Sequence, residues 1–263
     1  MPYADSGGVR IYYEIVGQGP PLVLHHGLMQ TLKRWYVCHY VEALQAEHQV
    51  ILIDPRGHGG SDKPHETADY ELDLRVADVL CVINQLGLDK VTFWAYSDGG
   101  RVAFGLAKYA PQRVTALIIG GHPPYECVIP DFVKLNGEDP EECIRKMLIG
   151  FSADPAKLQP ERFKALMAND FRAIAAAQRD EPSLEEVLPR MTMPCLVYAG
   201  EADMFFADIQ RSVQSMPNVT FFSLPGADHP KAFWDSKAVI PRALEFLRSL
   251  GTEATPALET RSA

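Results

Sequence analysis

The chain has 263 residues, of which 47% are apolar and 22% charged, and its net charge is −9. This size and composition predict a globular protein whose core is large enough to fold without disulfides. The acidic balance argues against a nucleic-acid or anionic-membrane partner, and no apolar run reaches the roughly 18 residues of a membrane-spanning helix. Because no secretory signal pattern is present and the five cysteines are scattered, we expect a cytoplasmic protein.

Short apolar runs alternate with helical patterns over the first half of the chain. Strands are predicted for VRIYYEIVG, PLVLHHG, VILIDP, KVTFWAYS and VTALIIGG. Helices are predicted over residues 32–45 and 69–87 and at GGRVAFGLAKYA. Because strands that alternate with helices form parallel sheets, we expect a mostly parallel sheet with helices on both faces.

The alternation stops over residues 122–190, where only helical patterns are found. Two further strands follow, each with a helix after it. These strands are predicted at PCLVYAGEAD and VTFFSLPGADH. We therefore predict an α/β core made of 1–121 and 191–250, a helical segment over 122–190, and a flexible tail over 251–263.

Polar residues that follow predicted strands are the candidate site residues, because parallel sheets bind ligands at the carboxyl ends of their strands. They are His25, His26, Asp54, Ser97, Asp98, His122, Glu201, Asp203, Asp228 and His229. Ser97 ends the apolar run in FWAYSDGG and is followed by an aspartate and two glycines. This stretch fits either a helix-capping serine or a nucleophile elbow, the tight strand-to-helix turn that presents a catalytic serine.

A serine hydroxyl needs a base to take its proton, and the base needs an acid to orient it. Asp203 and His229 each follow a separate later strand, and the chain order Ser97, Asp203, His229 is that of the α/β-hydrolases. Glu201 is the alternative acid. Asp228 is disfavoured because adjacent residues in a tight loop rarely face each other.

Five motifs together make the chain resemble the α/β-hydrolase fold superfamily over about residues 1–250. They are HHGL, DPRGHGGSDKP, AYSDGG, GEADMF and GADHP. The resemblance implies an eight-stranded sheet whose second strand is antiparallel, with a helical cap inserted after the sixth strand. It also implies a catalytic triad of Ser97, His229 and Asp203.

The elbow departs from the usual Gly-x-Ser-x-Gly pattern, because Ala95 takes the first glycine position. Alanine is still small enough for the tight turn, and Gly99 fills the second position. Asp98 is a conceivable nucleophile, as in the dehalogenase and epoxide-hydrolase branches. That register would put Tyr96 two residues before the nucleophile, where a large side chain should clash. Ser97 is therefore the predicted nucleophile.

Backbone amides must stabilise the oxyanion of the transition state. The N–H of Asp98, at a helix start, is one candidate, and the resemblance supplies the N–H of Leu28 as the other. The candidate pocket residues are Met29, Trp35, Tyr96, His122, Tyr125 and Phe205. Aromatic residues are more commonly part of the core than of a site, and His122 could equally just end its strand. Some apolar residues of the cap are expected to face the pocket; the candidates are Ile144, Met147, Leu148, Phe163, Leu166 and Phe171.

No metal or cofactor is expected, because no H-E-x-x-H or G-x-G-x-x-G spacing occurs. The resemblance implies a serine hydrolase that cleaves a small, fairly apolar carboxylic ester or lactone through an acyl-enzyme. A cofactor-free perhydrolase (haloperoxidase) or a C–C bond hydrolase would use the same triad. A ligand receptor with negligible turnover is the alternative from another class. The expected partner is a small-molecule ester or lactone, and the expected assembly is a monomer or homodimer.

Overall fold

Within the part of the chain that the structure describes, eight strands form a single sheet. The structure is a computed structural model that describes residues 2–126, 134–135, 139–151 and 154–252. The strands are β1 (Tyr3–Ser6), β2 (Val9–Val16), β3 (Pro21–His25), β4 (Gln49–Ile53), β5 (Val91–Tyr96), β6 (Val114–Gly120), β7 (Cys195–Gly200) and β8 (Val219–Leu224). They lie in the order β1-β2-β4-β3-β5-β6-β7-β8. Because β2 is antiparallel to both neighbours and the other pairs are parallel, the predicted sheet is confirmed.

Strand β1 is the one that the hydrophobic pattern does not identify. It has four residues, and only Ala4 is buried. A turn at Gly7 and Gly8 joins it to β2, and both glycines have the positive φ values that a tight hairpin turn requires. A short edge strand with one buried side chain carries too little periodicity to be recognised from sequence.

The described residues form ten α-helices. They are α1 (Lys33–Val37), α2 (Tyr40–Leu44), α3 (Leu72–Gln85), α4 (Asp98–Tyr109), α5 (Pro140–Gly150), α6 (Pro160–Met167), α7 (Phe171–Ala177), α8 (Phe206–Val213), α9 (His229–Trp234) and α10 (Ser236–Thr252). The prediction of one helix over 32–45 is wrong, because His39 has a left-handed backbone with φ of 62° that separates α1 from α2. The helix predicted over 69–87 begins only at Leu72, after a 3₁₀ turn at Thr67–Tyr70.

The central strands β3 to β7 are covered on both faces of the sheet, which explains why they are nearly continuous apolar runs. Every residue of β5 is buried. Phe93 and Ala95 pack in the cluster that contains the buried faces of α3 and α4. Trp94 and Tyr96 pack in the opposite cluster with residues of α1, α2, α9 and α10. This alternation follows from the period of two along a strand.

Helices α5, α6 and α7 lie between β6 and β7, so the helical insertion follows the sixth strand as predicted. Asp139 and Asp170 cap α5 and α7 by accepting hydrogen bonds from the first helical amides. The insertion contributes to a small apolar cluster with Met29, which follows β3. Its buried members are Met29, Ile144, Leu148, Leu166 and Ile174. The cap therefore rests on the loop after β3.

The domain boundaries at residues 121 and 190 stay predictions. Within the predicted cap, 127–133, 136–138 and 152–153 lie outside the described residues. Of the predicted tail, residues 251 and 252 continue α10, and 253–263 lie outside the described residues. Among the helices of the described part, none is both long and apolar enough to cross a membrane.

Candidate active site

Ser97 lies at a strained turn between β5 and α4. Its φ and ψ are 54° and −127°, a conformation that a residue with a Cβ rarely adopts and that costs on the order of 1–3 kcal/mol. Two backbone hydrogen bonds hold the turn: the Ser97 amide donates to the Gly120 carbonyl (2.8 Å), and the Gly100 amide donates to the Ser97 carbonyl (2.7 Å). This backbone is that of a nucleophile elbow, and it sets Ser97 apart from an ordinary capping serine; no side-chain capping bond is formed.

The small residues around the elbow have a steric reason. A Cβ at Gly99 would lie 2.6 Å from Nδ1 of His25 and 2.8 Å from the His25 carbonyl oxygen. A Cβ at Gly27 would lie 2.8 Å from Cβ of Ser97. The elbow therefore packs directly against the end of β3, and a side chain at either position would push the two apart.

Ser97, His229 and Asp203 come together in one hydrogen-bonded series. Nε2 of His229 is 2.8 Å from Oγ of Ser97, and Nδ1 of His229 is 2.8 Å from Oδ2 of Asp203. The other oxygen of Asp203 accepts the Phe205 amide (3.0 Å). Because a carboxylate can only accept, Nδ1 carries the proton and Nε2 faces the serine hydroxyl as an acceptor. The arrangement can take a proton from Oγ and stabilise the resulting imidazolium.

The two alternative acids have other partners. Glu201 accepts a hydrogen bond from Oγ of Ser223 (2.7 Å) near the protein surface. Asp228 caps α9 by accepting the Lys231 amide (2.8 Å). The carboxylate of Asp98 pairs with Arg75 (2.7 Å). Among these carboxylates, Asp203 alone is hydrogen-bonded to His229.

Aromatic side chains fix the position of His229. The Tyr96 hydroxyl donates to the His229 carbonyl (2.5 Å). Phe151, at the end of α5, stacks on the imidazole with ring centroids 5.6 Å apart and an interplanar angle of 15°. Phe205 meets the same ring edge-on at 5.7 Å. The cap thus touches the histidine directly through Phe151.

The two predicted oxyanion donors have free amides among the described residues. Asp98 is the first residue of α4, so its N–H has no partner within the helix. Leu28 lies in the turn after β3. The next amide, that of Met29, is already used, because it donates to Nε2 of His58 (3.2 Å). The oxyanion role of Leu28 and Asp98 stays a prediction.

Buried neutral histidines brace the loops around the elbow. His58 uses both ring nitrogens: Nδ1–H donates to the Arg56 carbonyl (3.1 Å), and Nε2 accepts from Met29. Burial lowers the pKa of His58 to about 4 and that of His25 to about 3. Asp54 accepts the amides of Leu32 (2.7 Å) and Gly60 (2.8 Å) and thereby ties together two loops.

A cavity of about 460 Å³ opens next to Ser97 and His229. Four of the six predicted pocket residues line it: Met29, Tyr96, His122 and Phe205. Burial lowers the pKa of His122 to about 3, so this side chain is neutral in the cavity wall. From the cap candidates, the residues that line the cavity are Met147, Leu148 and Leu166. Ile144, Phe163 and Phe171 pack within the cap cluster instead.

The pocket prediction is wrong for Trp35 and Tyr125, because neither residue lines the cavity. Trp35 is fully buried in the core, edge-on against Trp94 and Phe233. The ring of Tyr125 is covered by the guanidinium of Arg211, whose Cζ lies 3.6 Å from the ring centroid. The orientation of Trp35 depends on how α1 packs, and that of Tyr125 on its contact with Arg211 of α8. Neither can be read from the sequence pattern.

Several further wall residues come from loops, turns and helices and were not predicted from the sequence. They are Gln30, Arg34, Phe151, Arg162, Gln178, Arg179, Met204, Phe233 and Trp234. The only sequence signal for them is their nearness to predicted loops, which does not give their orientation. Among the described residues, no group of three or more His, Cys, Asp or Glu side chains is placed to hold a metal ion.

Comparisons with known proteins agree with this architecture. Residues 20–167, more than half of the chain, match the α/β-hydrolase fold family. The enol-lactonase from Burkholderia xenovorans LB400 has a TM-score of 0.81 at 22% identity, covering 94% of this chain and 100% of that one, which is a likeness of fold. Bromoperoxidase from Bacillus anthracis has a TM-score of 0.78 at 25% identity, covering 94% and 99%. Est816, an N-acyl homoserine lactone degrading enzyme, has a TM-score of 0.74 at 26% identity, covering 94% and 99%. The chain belongs to the α/β-hydrolase fold family.

Proposed function

We propose that this α/β-hydrolase cleaves carboxylic ester or lactone bonds through a covalent acyl-enzyme on Ser97. The observation that carries the proposal is the hydrogen-bonded series from Asp203 through His229 to Ser97, which ends at the cavity. The strained backbone of Ser97 supports it, because such strain is found at functional sites. The similarity to Est816, which degrades N-acyl homoserine lactones, makes lactones a class of substrate to test.

Acylation begins when Oγ of Ser97 attacks the substrate carbonyl carbon while its proton moves to Nε2 of His229. Asp203 stabilises the imidazolium through Nδ1–H. The amides of Leu28 and Asp98 stabilise the oxyanion, and one such donor is worth roughly 10²–10³-fold in kcat. Nε2 then returns the proton to the leaving oxygen. In a lactone that oxygen stays attached to the acyl group as a hydroxyl.

Deacylation repeats the sequence with water. Nε2 of His229 takes a proton from the water as its oxygen attacks the acyl carbon. Collapse of the second intermediate breaks the bond to Ser97, and the proton on His229 passes to Oγ. The products are the carboxylic acid and free Ser97.

A perhydrolase is a second candidate, favoured by the similarity to the Bacillus anthracis bromoperoxidase. It would share the acyl-enzyme, but hydrogen peroxide would replace water in the second half and the product would be a peracid. Water and hydrogen peroxide would therefore compete as nucleophiles for the same acyl-enzyme.

The two candidates are tested together with p-nitrophenyl esters and lactones of graded chain length, with and without hydrogen peroxide. We expect sustained multiple turnover without peroxide, and little peracid from acetate and peroxide. Peracid formation faster than hydrolysis would favour the perhydrolase. Binding without turnover in the folded protein would favour the ligand receptor and contradict both.

A further inference from the structure

Two arginines line the cavity without an acidic partner. Arg34 lies on α1 of the α/β core, and Arg162 lies on α6 of the helical cap. Both side chains are only partly exposed. Within the described residues, neither guanidinium has an ion pair or a hydrogen bond. Both contact the Trp234 ring, and both lie near the Cys38 thiol, whose pKa burial raises.

The other charged residues of the cavity wall have polar partners within the protein, and Lys231, whose partner is only a backbone carbonyl, is exposed to solvent. They and their partners are Asp98 with Arg75, Glu181 with Arg75 and Arg101, Arg179 with Glu71, Asp228 with the Lys231 amide, and Lys231 with the Gly226 carbonyl. Burying charge without a partner is unfavourable, and proteins normally pair such groups. Arg34 and Arg162 therefore differ from the rest of the wall in a way that packing alone does not explain.

The stacking on Trp234 leaves the hydrogen-bond donors of these arginines available. Cζ of Arg34 lies 3.3 Å from the centre of the Trp234 ring, and Cζ of Arg162 lies 4.9 Å from it. A guanidinium that contacts a ring with its face still directs its N–H groups outward in its own plane. Burial, with a smaller contribution from the charge of Arg162, lowers the pKa of Arg34 to about 10, and burial lowers the pKa of Arg162 as well. Arginine side chains stay protonated in proteins, so both remain cations near neutral pH. Two nearby cations on one ring would be stabilised by an anion placed between them.

We propose that the substrate carries a carboxylate that Arg34 and Arg162 bind while its ester or lactone carbonyl lies at Ser97. This inference rests on the proposed function and specifies its substrate class: half-esters of dicarboxylic acids, or lactones with a carboxylate side chain. The planar guanidinium forms paired hydrogen bonds with a carboxylate, which a neutral ester group cannot reproduce. Because one arginine comes from the core and the other from the cap, the carboxylate bridges the two parts of the cavity wall.

The test compares two p-nitrophenyl esters that differ in one charge: the p-nitrophenyl half-ester of glutaric acid, and the same molecule with its free acid methylated. We expect the wild-type protein to favour the anionic ester in kcat/KM. Arg34→Gln and Arg162→Gln should each lower the anionic-to-neutral ratio by about 10- to 100-fold, the loss of one charge-assisted hydrogen bond. The loss should fall mainly on KM, because a carboxylate remote from the carbonyl binds equally in ground and transition states.

Arg145→Gln is the matched control. Arg145 is an exposed arginine on cap helix α5 that pairs with Glu142 (2.6 Å) and does not line the cavity. This variant should keep the wild-type ratio. Thermal unfolding of each variant checks that the fold is retained. Arg34→Lys, which keeps the charge but loses the planar donor group, should recover part of the preference.

Equal kcat/KM for the two esters, with no change of their ratio in Arg34→Gln or Arg162→Gln, would overturn the carboxylate site and leave the proposed function standing. Hydrolysis of neither ester would contradict the proposed function instead. In that case, calorimetry tests the carboxylate site independently of hydrolysis, by comparing the binding of hexanoate with that of its neutral counterpart hexanamide. Preferential binding of hexanoate that both glutamine variants weaken supports the site, and equal binding overturns it.

Discussion

The cavity has a floor and a roof that are built differently. The floor consists of Ser97, Asp203 and His229 with the amides of Leu28 and Asp98, and all of these follow strands of the sheet. The roof consists of the cap residues that line the cavity; the described ones include Met147, Leu148, Phe151, Arg162 and Leu166. Floor side chains are held by directional hydrogen bonds, whereas the roof combines apolar side chains such as Leu148 and Leu166 with charged ones such as Arg162. We infer that the floor determines the reaction and that the roof determines which substrate undergoes it.

The largest expected effect is on the floor, from Ser97→Ala. Without the nucleophile, turnover of any ester should fall on the order of 10⁶-fold, because the members of a triad act as a unit. Steady-state kinetics with p-nitrophenyl acetate measures it. Ser223→Ala is the control, since Ser223 bonds Glu201 away from the cavity. Substantial residual activity in a Ser97→Ala protein free of wild-type contamination would contradict the role of Ser97.

Asp203→Asn should have the next largest effect. Asparagine can donate toward Nδ1 of His229 and so stabilise the wrong tautomer; the corresponding loss in serine proteases is roughly 10⁴-fold in kcat. Glu201→Gln is the matched control and should leave kcat within a few-fold of wild type. If the two variants exchanged these outcomes, Glu201 would be the acid that orients His229.

Changes in the roof should alter selectivity and leave the chemistry intact. Leu148→Ala and Leu166→Ala enlarge the cavity, and contacts of this size shift specificity by about 1–3 kcal/mol, or roughly 10–200-fold. A series of esters of graded chain length measures the change in relative kcat/KM. Ile149→Ala, an exposed residue of the same helix as Leu148, should not change it. Loss of Ser97 labelling by a small fluorophosphonate in a folded roof variant would mean that the cap helps to build the floor.

The last effect concerns the stability of the fold around the loop under the floor and leaves the reaction itself unchanged. His58 must be neutral to accept the Met29 amide, and its folded pKa of about 4 lies below the usual value of about 6.5. As pH falls from about 6.5 toward 4, the unfolded chain binds this proton first, so the free energy of unfolding should drop by roughly 1.4 kcal/mol per pH unit for this group. Above pH 6.5 the group contributes no pH dependence.

Urea unfolding between pH 7 and pH 4.5 measures this slope. His58→Gln should reduce the slope of the free energy of unfolding against pH by the contribution of one proton. His39→Gln, at an exposed residue, is the control and should leave the slope unchanged. An unchanged slope in His58→Gln would show that His58 is not the group responsible.

The floor was predictable from sequence because its residues follow strands. A buried parallel strand is a short apolar run, so the polar residue after it can be located by local pattern alone. Local pattern located ten candidates, and the chain order Ser, Asp, His of the α/β-hydrolases selected Ser97, Asp203 and His229 among them. The small size of Ala95 and Gly99 could also be explained in advance, since a tight turn excludes large side chains on steric grounds.

The roof was not predictable in the same way. Leu148 and Ile144 belong to one helix with similar apolar character, yet one lines the cavity and the other packs inside the cap. Trp35 faces the core although its neighbour Arg34 lines the cavity. Such orientations depend on how helices pack against one another, which periodicity does not specify.

The central claim is that Ser97 is the residue acylated during turnover, and a fluorophosphonate probe tests it most directly. After labelling and proteolysis, mass spectrometry should find one adduct, on the peptide that contains Ser97. The adduct should be absent from Ser97→Ala and should form far more slowly in Asp203→Asn. An adduct on another serine, or labelling of Ser97→Ala at the wild-type rate, would contradict the account.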